Sequence, residues 1–234
     1  MRSGRIYVCR HSTSEWNELG RWQGIIDTKL SKKGIEQAKI QANTFVSEGV
    51  RFATARTSDL QRAQQTAKIL IEPHNLKQRP YPDVRLRECY LGEFQGLTRN
   101  VIYGEKYERI FRNLSTMPHE ERLDRSYFPG LETPREIAKR SLECLRDIAS
   151  DTSTGEDALV VTHSVILKSL LAVNFDKYYE GIQMRTLSWM CIRWDNIFEC
   201  ERESPKLIGV DGIEFNDTFS PNTSHSDRSV TENK

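Results

Sequence analysis

The chain has almost no surplus of charge. Its 234 residues carry 34 lysines and arginines against 33 aspartates and glutamates, a formal net charge of +1. Such a balance supplies no global field to recruit nucleic acid or an anionic membrane, so attraction for an anion has to come from arginines gathered locally. The basic residues form no stripe interleaved with aromatics, which argues against a nucleic-acid partner. Cysteine is sparse: Cys9, Cys89, Cys144, Cys191 and Cys200 include no CxxC pair, and their total is odd. Without histidines at ligand spacing they suggest neither a disulfide framework nor zinc, and buried free thiols in a reducing compartment are expected. Cys89, beside Glu88, is the one whose neighbour makes reactivity worth checking.

Long apolar runs are also missing. The longest are strand-sized, far short of a membrane span, so no membrane partner is expected. Met1 to Gly4 lead straight into an apolar segment with no signal-type region, and the expectation is a soluble, cytoplasmic protein. There is no internal repeat and no obvious linker. Hydrophobic residues make up 37% and charged residues 29%, an ordinary balance for a domain with its own core. One domain is expected over residues 1–211. From Gly212 the composition shifts to Ser, Thr, Asn and Asp, and residues 212–234 are expected to form a disordered tail.

What is present is alternation of strand-like and helix-like segments. Residues 5–10 read as a buried strand, and Ser31 opens a helical pattern that Gly49 stops. Residues 50–57 read as a second strand, and Leu60, Ala63, Ala67, Leu70 and Ile71 as an amphipathic helix ended by Pro73. Residues 79–82 are a loop or edge segment, 86–96 an ordered loop, 101–114 a helix, and 118–130 an excursion over the surface. Thr133-Pro134-Arg135-Glu136 is a capped helix start, with the helix running to about Ser150. Residues 158–162 form a buried strand, 165–173 an apolar helix, and 189–194 with 197–201 a hairpin turning at Asp195-Asn196. The pattern implies a three-layer α/β/α sandwich, its mostly parallel central sheet flanked by helices.

Two of the five histidines, His11 and His163, fall where a buried strand gives way to a loop, the usual site location in open α/β folds. Either alone is more readily explained as a satisfied histidine near the core. Together, with Arg10 beside His11, they suggest a site. Arg62 strengthens the case. It sits in the first turn of its helix, where the macrodipole disfavours a cation unless an anion occupies that mouth, and Asp59 is a local acid that could offset the cost.

These residues resemble the histidine phosphatase superfamily, in its branch related to cofactor-dependent phosphoglycerate mutase. Arg10-His11-Ser12-Thr13-Ser14-Glu15-Trp16-Asn17 is similar to the family's R-H-G-E-T-x-W-N signature. Arg21-Trp22-Gln23-Gly24, Asp27, Leu30, Gly34 and Gln37-Ala38 resemble its continuation; Ser58, Leu60, Arg62-Ala63 and Thr66-Ala67 its S-x-L-x-R-A-x-x-T-A block. Leu86, Glu88, Gly92 and Gly96 resemble the acid block, and Val160 to Ser164 the second histidine block. The likeness runs in family order from about residue 5 to about residue 200.

The resemblance implies that His11 is the phosphate-accepting nucleophile, held with Arg10, Arg62 and His163 around the phosphoryl oxygens, and that Glu88 is the general acid and base. Asn17, Gln23, Gly24 and Ser164 are implied as substrate-binding positions, Ser164 through a backbone amide at a helix N-terminus. No metal and no cofactor are implied, and the partner is a small phosphorylated metabolite; monomer and homodimer both stay open. Ser12 and Ser164 stand where the family has glycine, and Thr13 where it has glutamate or glutamine, which leaves room for a weakened, phosphoester-binding protein. Residues 122–129 hint at a mutase insertion but hold one proline, whereas Pro129-Gly130-Leu131-Glu132-Thr133 is closer to the phosphatases. Phosphatase is the expected activity, with mutase-type phosphoryl transfer as the alternative.

Overall fold

The computed structural model describes residues 4–76, 79–152, 156–196 and 203–216. Six strands, β1 (Arg5–Arg10), β2 (Phe52–Thr57), β3 (Tyr81–Pro82), β4 (Asp157–Thr162), β5 (Ile182–Arg193) and β6 (Lys206–Phe215), form one sheet in the order β3-β2-β4-β1-β5-β6. The first four strands run parallel, and β5 and β6 are antiparallel additions at one edge. Every residue of β4 is buried, as expected of a central parallel strand covered on both faces.

Period-two alternation sorts the core into two layers. Ile6 and Val8 of β1, with Ala158 and Val160 of β4, pack with Leu145, Ile148, Leu167 and Leu170. Tyr7 and Cys9, with Leu159 and Val161, face Ala38, Phe45, Ala63 and Leu70. Helices therefore cover both faces of the sheet: α1 (Glu15–Glu18) is a single turn, while α2 (Lys32–Ser47) and α3 (Gln61–Ile71) cover the second layer. Helices α4 (Arg99–Ile102), α5 (Glu105–Ser115), α6 (His119–Leu123), α7 (Pro134–Asp151) and α8 (Ser164–Asn174) follow, with α7 and α8 supplying the first layer. The sandwich expected from the alternation is the observed fold. Among the described residues no helix is long and apolar enough to cross a membrane.

Local signals account for the helix starts. The Ser31 hydroxyl accepts from the Gly34 amide, and Thr133 with Glu136 forms a reciprocal capping box ahead of Pro134.

Four expectations need correction. The helix over 101–114 is two helices, α4 and α5, broken at Gly104. Residues 118–130 are not a plain surface excursion. They contain α6, whose Arg122 and Leu123 are each 1% exposed, because Arg122 spends its charge on Glu180 Oε1 (2.7 Å) and its face on the rings of Tyr127 and Tyr179. The strand that pairs with 189–194 is β6, whereas residues 197–201 lie outside the described residues. The polar shift at Gly212 does not end the fold: β6 continues to Phe215, and the Asn216 amide donates to the Gly181 carbonyl (3.0 Å). The remainder of the expected tail, 217–234, lies outside the described residues.

Candidate active site

Three neighbouring parallel strands end at one level. Arg10 of β1 is in register with Thr162 of β4, and Thr57 of β2 with Val161. The residues that follow are His11, His163 and Ser58, on strands spaced by about 4.8 Å. The imidazole centroids of His11 and His163 consequently lie 5.2 Å apart, and His163 Nε2 is 2.7 Å from Ser58 Oγ. The His11 and Ser58 amides donate to the Thr162 and Val161 carbonyls, both at 2.9 Å, which extends sheet-like pairing into the site.

His11 is 4% exposed, and its Nδ1 is 2.7 Å from the Ser12 carbonyl oxygen. A carbonyl can only accept, so Nδ1 carries the proton and Nε2 keeps its lone pair. Burial holds the His11 pKa well below its usual 6.5, and the charges of Arg62 and Arg10 push it further the same way. His163 is lowered by the same causes, burial first and then Arg62. Both rings are neutral at pH 7.

Arg62, 1% exposed in the first turn of α3, donates through Nη2 to the Gly24 carbonyl (2.8 Å) and through Nη1 to that of Ile26 (2.9 Å). Gly24 has φ +54, a left-handed conformation that favours glycine, and a Cβ there would meet Gln95 Oε1 at 2.3 Å. Arg10 donates through Nη1 to the Met184 carbonyl (2.9 Å). Burial lowers both guanidinium pKa values to about 10, against the opposing pull of Glu88. They stay cationic at neutral pH. The Nε atoms of both arginines and Nδ1 of His163 are buried without a protein partner. Asp59 does not offset Arg62, because it is paired with Arg87.

Glu88 is 7% exposed. Its two oxygens accept from the amides of Cys89 (3.0 Å) and Val165 (3.4 Å), and the Thr162 hydroxyl ties its loop to β4 through the Leu86 carbonyl (2.7 Å). Burial raises its pKa, opposed chiefly by Arg62. The Cys89 thiol is pushed far up by burial and by Glu88, so it is an inert neighbour.

The four positions expected to bind substrate, Asn17, Gln23, Gly24 and Ser164, lie on the segment after His11 and at the start of α8. Asn17 Oδ1 and Gln23 Oε1 both lie within hydrogen-bond distance of the Ser14 hydroxyl (3.0 and 2.9 Å), which turns their amide groups away from Ser14. Gly24 touches the site through Arg62. Ser164 opens α8 directly after His163. Neither Ser12 nor Ser164 has a positive φ, so no backbone strain follows from the missing glycines. The Ser12 hydroxyl donates to the Gly34 carbonyl (2.7 Å), and its amide to Thr66 Oγ1 (3.0 Å), binding the loop to α2 and α3.

Thr66 and Arg140 went unassigned from sequence. Thr66 belongs to a block whose spacing was visible. Arg140, which feels Glu88 and is fixed by Glu132 (2.6 Å) and the Arg85 carbonyl (2.7 Å), lies on α7 with no local signal. No group of three or more histidine, cysteine, aspartate or glutamate side chains able to hold a metal ion occurs among the described residues.

The fold and the paired histidines define an α/β enzyme of the histidine phosphatase type. Residues 6–204 match the family model of the histidine phosphatase superfamily (branch 1), and the chain belongs to that superfamily. It is 32% identical over 176 residues to a phosphoglycerate mutase of Schizosaccharomyces pombe, covering 71% of this chain and 77% of the relative. Among solved structures it is similar to YhfR of Bacillus stearothermophilus, with 28% identity, a TM-score of 0.71, and 88% and 96% of the two chains covered. A mycobacterial glucosyl-3-phosphoglycerate phosphatase in complex with VO3 is 26% identical, with a TM-score of 0.64 and 81% and 92% covered.

Proposed function

We propose that the protein is a metal-independent phosphatase that hydrolyses a small phosphomonoester through a phosphohistidine on His11. The observation that carries this is His11 Nδ1 on the Ser12 carbonyl, which leaves a neutral, nucleophilic Nε2 on a ring that feels the charges of Arg62 and Arg10. The Nε2 lone pair attacks phosphorus in line, the P–O bond to the leaving group breaks, and the protonated Glu88 carboxyl gives its proton to the departing oxygen. Glu88, now a carboxylate, takes a proton from water, whose oxygen attacks phosphorus; the P–N bond breaks, phosphate leaves, and both residues return to their starting states. Arg10, Arg62 and His163 stabilise the charge on the equatorial oxygens, and their unpartnered buried nitrogens gain acceptors when an oxyanion is bound. Asn17 and Gln23, with the amide of Ser164, add donors to those oxygens.

Mutase-type transfer is the second reading, favoured by relatives named as phosphoglycerate mutases. Hydrolysis is preferred because Arg122, in the segment that hints at a mutase insertion, is consumed by Glu180, the Arg125 carbonyl and two aromatic rings and is unavailable to clamp a substrate. A screen of sugar phosphates, bisphosphates and phosphoglycerates in the presence of a chelator tests the proposal. Phosphate release is expected to exceed phosphoglycerate interconversion, with or without added bisphosphoglycerate. Faster interconversion than release makes the protein a mutase, and neither activity leaves a phosphoester-binding protein.

A further inference from the structure

Strand β5 does not run evenly past the site. Its pairing with β6 jumps from Met184↔Ile213 to Trp189↔Asp211, so the four residues 185–188 stand opposite Gly212 alone. Its pairing with β1 stops at Cys9↔Trp189, immediately before Arg10. Within the resulting bulge Leu187, 8% exposed, has φ +62, a left-handed conformation that is a genuine outlier for a bulky residue. Gly212 has φ +65, and a Cβ there would lie 2.6 Å from Arg185 Nε and 3.2 Å from Ser188 Cβ, so the bulge folds down closely onto a position that favours glycine.

The bulge touches the chain on both sides of His11. Immediately before the bulge, the carbonyl of Met184, which is still paired with Ile213 in the sheet, accepts from Arg10 Nη1 at 2.9 Å. In its middle, Thr186 Oγ1 is 3.1 Å from Thr13 Oγ1. The Thr13 hydroxyl already donates its one hydrogen to Gln37 Oε1 (2.7 Å), so Thr186 is the donor to Thr13. At its far side the Leu187 carbonyl accepts from Cys9 Sγ (3.6 Å). A strand in regular pairing would present its backbone to β1 instead and leave the Arg10 guanidinium without the Met184 carbonyl and Thr13 without Thr186. Backbone strain held in place beside a reactive loop is the usual mark of a positioning role.

We infer that the bulge at residues 185–188, set by left-handed Leu187 over Gly212, is a positioning device that fixes the Arg10 guanidinium and the loop after His11 for phosphoryl transfer. It rests on the phosphatase chemistry proposed above and adds Thr186 and Leu187 as positioning residues. They act through Arg10 and Thr13, without touching substrate themselves.

Thr186→Val keeps the shape and removes the donor. It is expected to lower kcat about tenfold and to weaken vanadate inhibition by a similar factor, with KM and the melting temperature little changed. Leu187→Asn, which tolerates the left-handed region, should retain kcat within about threefold, whereas Leu187→Ile, whose branched Cβ does not, should lose it. Independently of turnover, the Arg10 side-chain NH signals in 1H–15N spectra should be slow in rotation and exchange in the wild type and broadened in Leu187→Ile, which disturbs the backbone that carries the Met184 carbonyl. Folded Thr186→Val protein with wild-type kcat and vanadate inhibition, or folded Leu187→Ile protein with wild-type Arg10 signals, would overturn the inference. Should the wild type hydrolyse nothing, the phosphatase chemistry fails, and the Arg10 signals alone then decide whether the bulge holds Arg10.

Discussion

Glu88→Gln separates the two proton transfers assigned to one carboxyl. The amide has the size of the carboxyl, and its oxygen still accepts from the Cys89 or Val165 amide, so the fold should survive. What disappears is the exchangeable proton in a position only 7% exposed, where water cannot readily substitute for it. General acid–base catalysis by a positioned group contributes about 10²–10⁴-fold. At about 1.4 kcal/mol per tenfold, the variant should lose roughly 3–6 kcal/mol of transition-state stabilisation on an alkyl phosphomonoester. With p-nitrophenyl phosphate the leaving group departs without protonation, so phosphorylation of His11 stays fast while attack by water does not. A stopped-flow trace should show a burst of about one nitrophenolate per active site followed by slow turnover. Burial raises the Glu88 pKa above its usual 4.5, so the wild-type kcat/KM should fall on the alkaline side as that proton is lost. Ionisation of the substrate phosphate, near pH 6, affects both proteins alike. The difference between their profiles therefore reports Glu88. Equal kcat on the alkyl ester, or an unchanged alkaline limb without a burst, would refute the assignment.

Three further outcomes follow from the geometry. Ser12→Gly restores the family's glycine and removes the Ser12–Gly34 hydrogen bond, while the Gly34 carbonyl stays within helix α2 and keeps its intrahelical acceptor role. It should cost about 0.5–1.5 kcal/mol in a thermal or urea melt while keeping kcat within about threefold; a large gain in kcat would mean that Ser12 does crowd the site. Gly34→Ala would place a Cβ 1.9 Å from the Thr13 carbonyl oxygen, a backbone collision with the loop after His11. A loss of at least about 2 kcal/mol together with most activity is expected, and a wild-type melt would contradict the close approach. His11 and His163 are both held below 6.5, so the unfolded chain binds protons that the folded one refuses. Their contribution to stability is complete above pH 6.5 and is lost as pH falls, by up to about 2.7 kcal/mol per pH unit for the pair. Glu88, with its raised pKa, works in the opposite sense once it takes up its proton. Urea midpoints between pH 7.5 and 5 should show this slope, and the double variant His11→Asn/His163→Asn should flatten it.

The central strands and the long helices were readable because short-range rules govern them. The buried run of β4, the Ser31 cap and the Thr133 capping box each announce an element within a few residues. The pairing of His11 with His163 was legible only as two strand ends; the parallel register that makes them neighbours is long-range. Arg122 looked like surface charge because its neutralising partners, Glu180 and the ring of Tyr179, lie far along the chain. The polar composition from Gly212 onward suggested a tail, yet an edge strand with one paired side needs little apolar character and β5 holds β6 in place to Phe215. The left-handed Leu187 carries no signal at all, since leucine is not a residue that turn chemistry selects for that conformation.

The most direct measurement is rapid acid- and base-quench of the enzyme mixed with a 32P-labelled phosphomonoester, with peptide mapping of the label. A phosphoryl group bound through nitrogen at His11, acid-labile and base-stable, should appear at up to one per chain within the first turnover and be absent from His11→Ala. Turnover with no labelled protein, or label that persists at another residue in His11→Ala, would contradict the account.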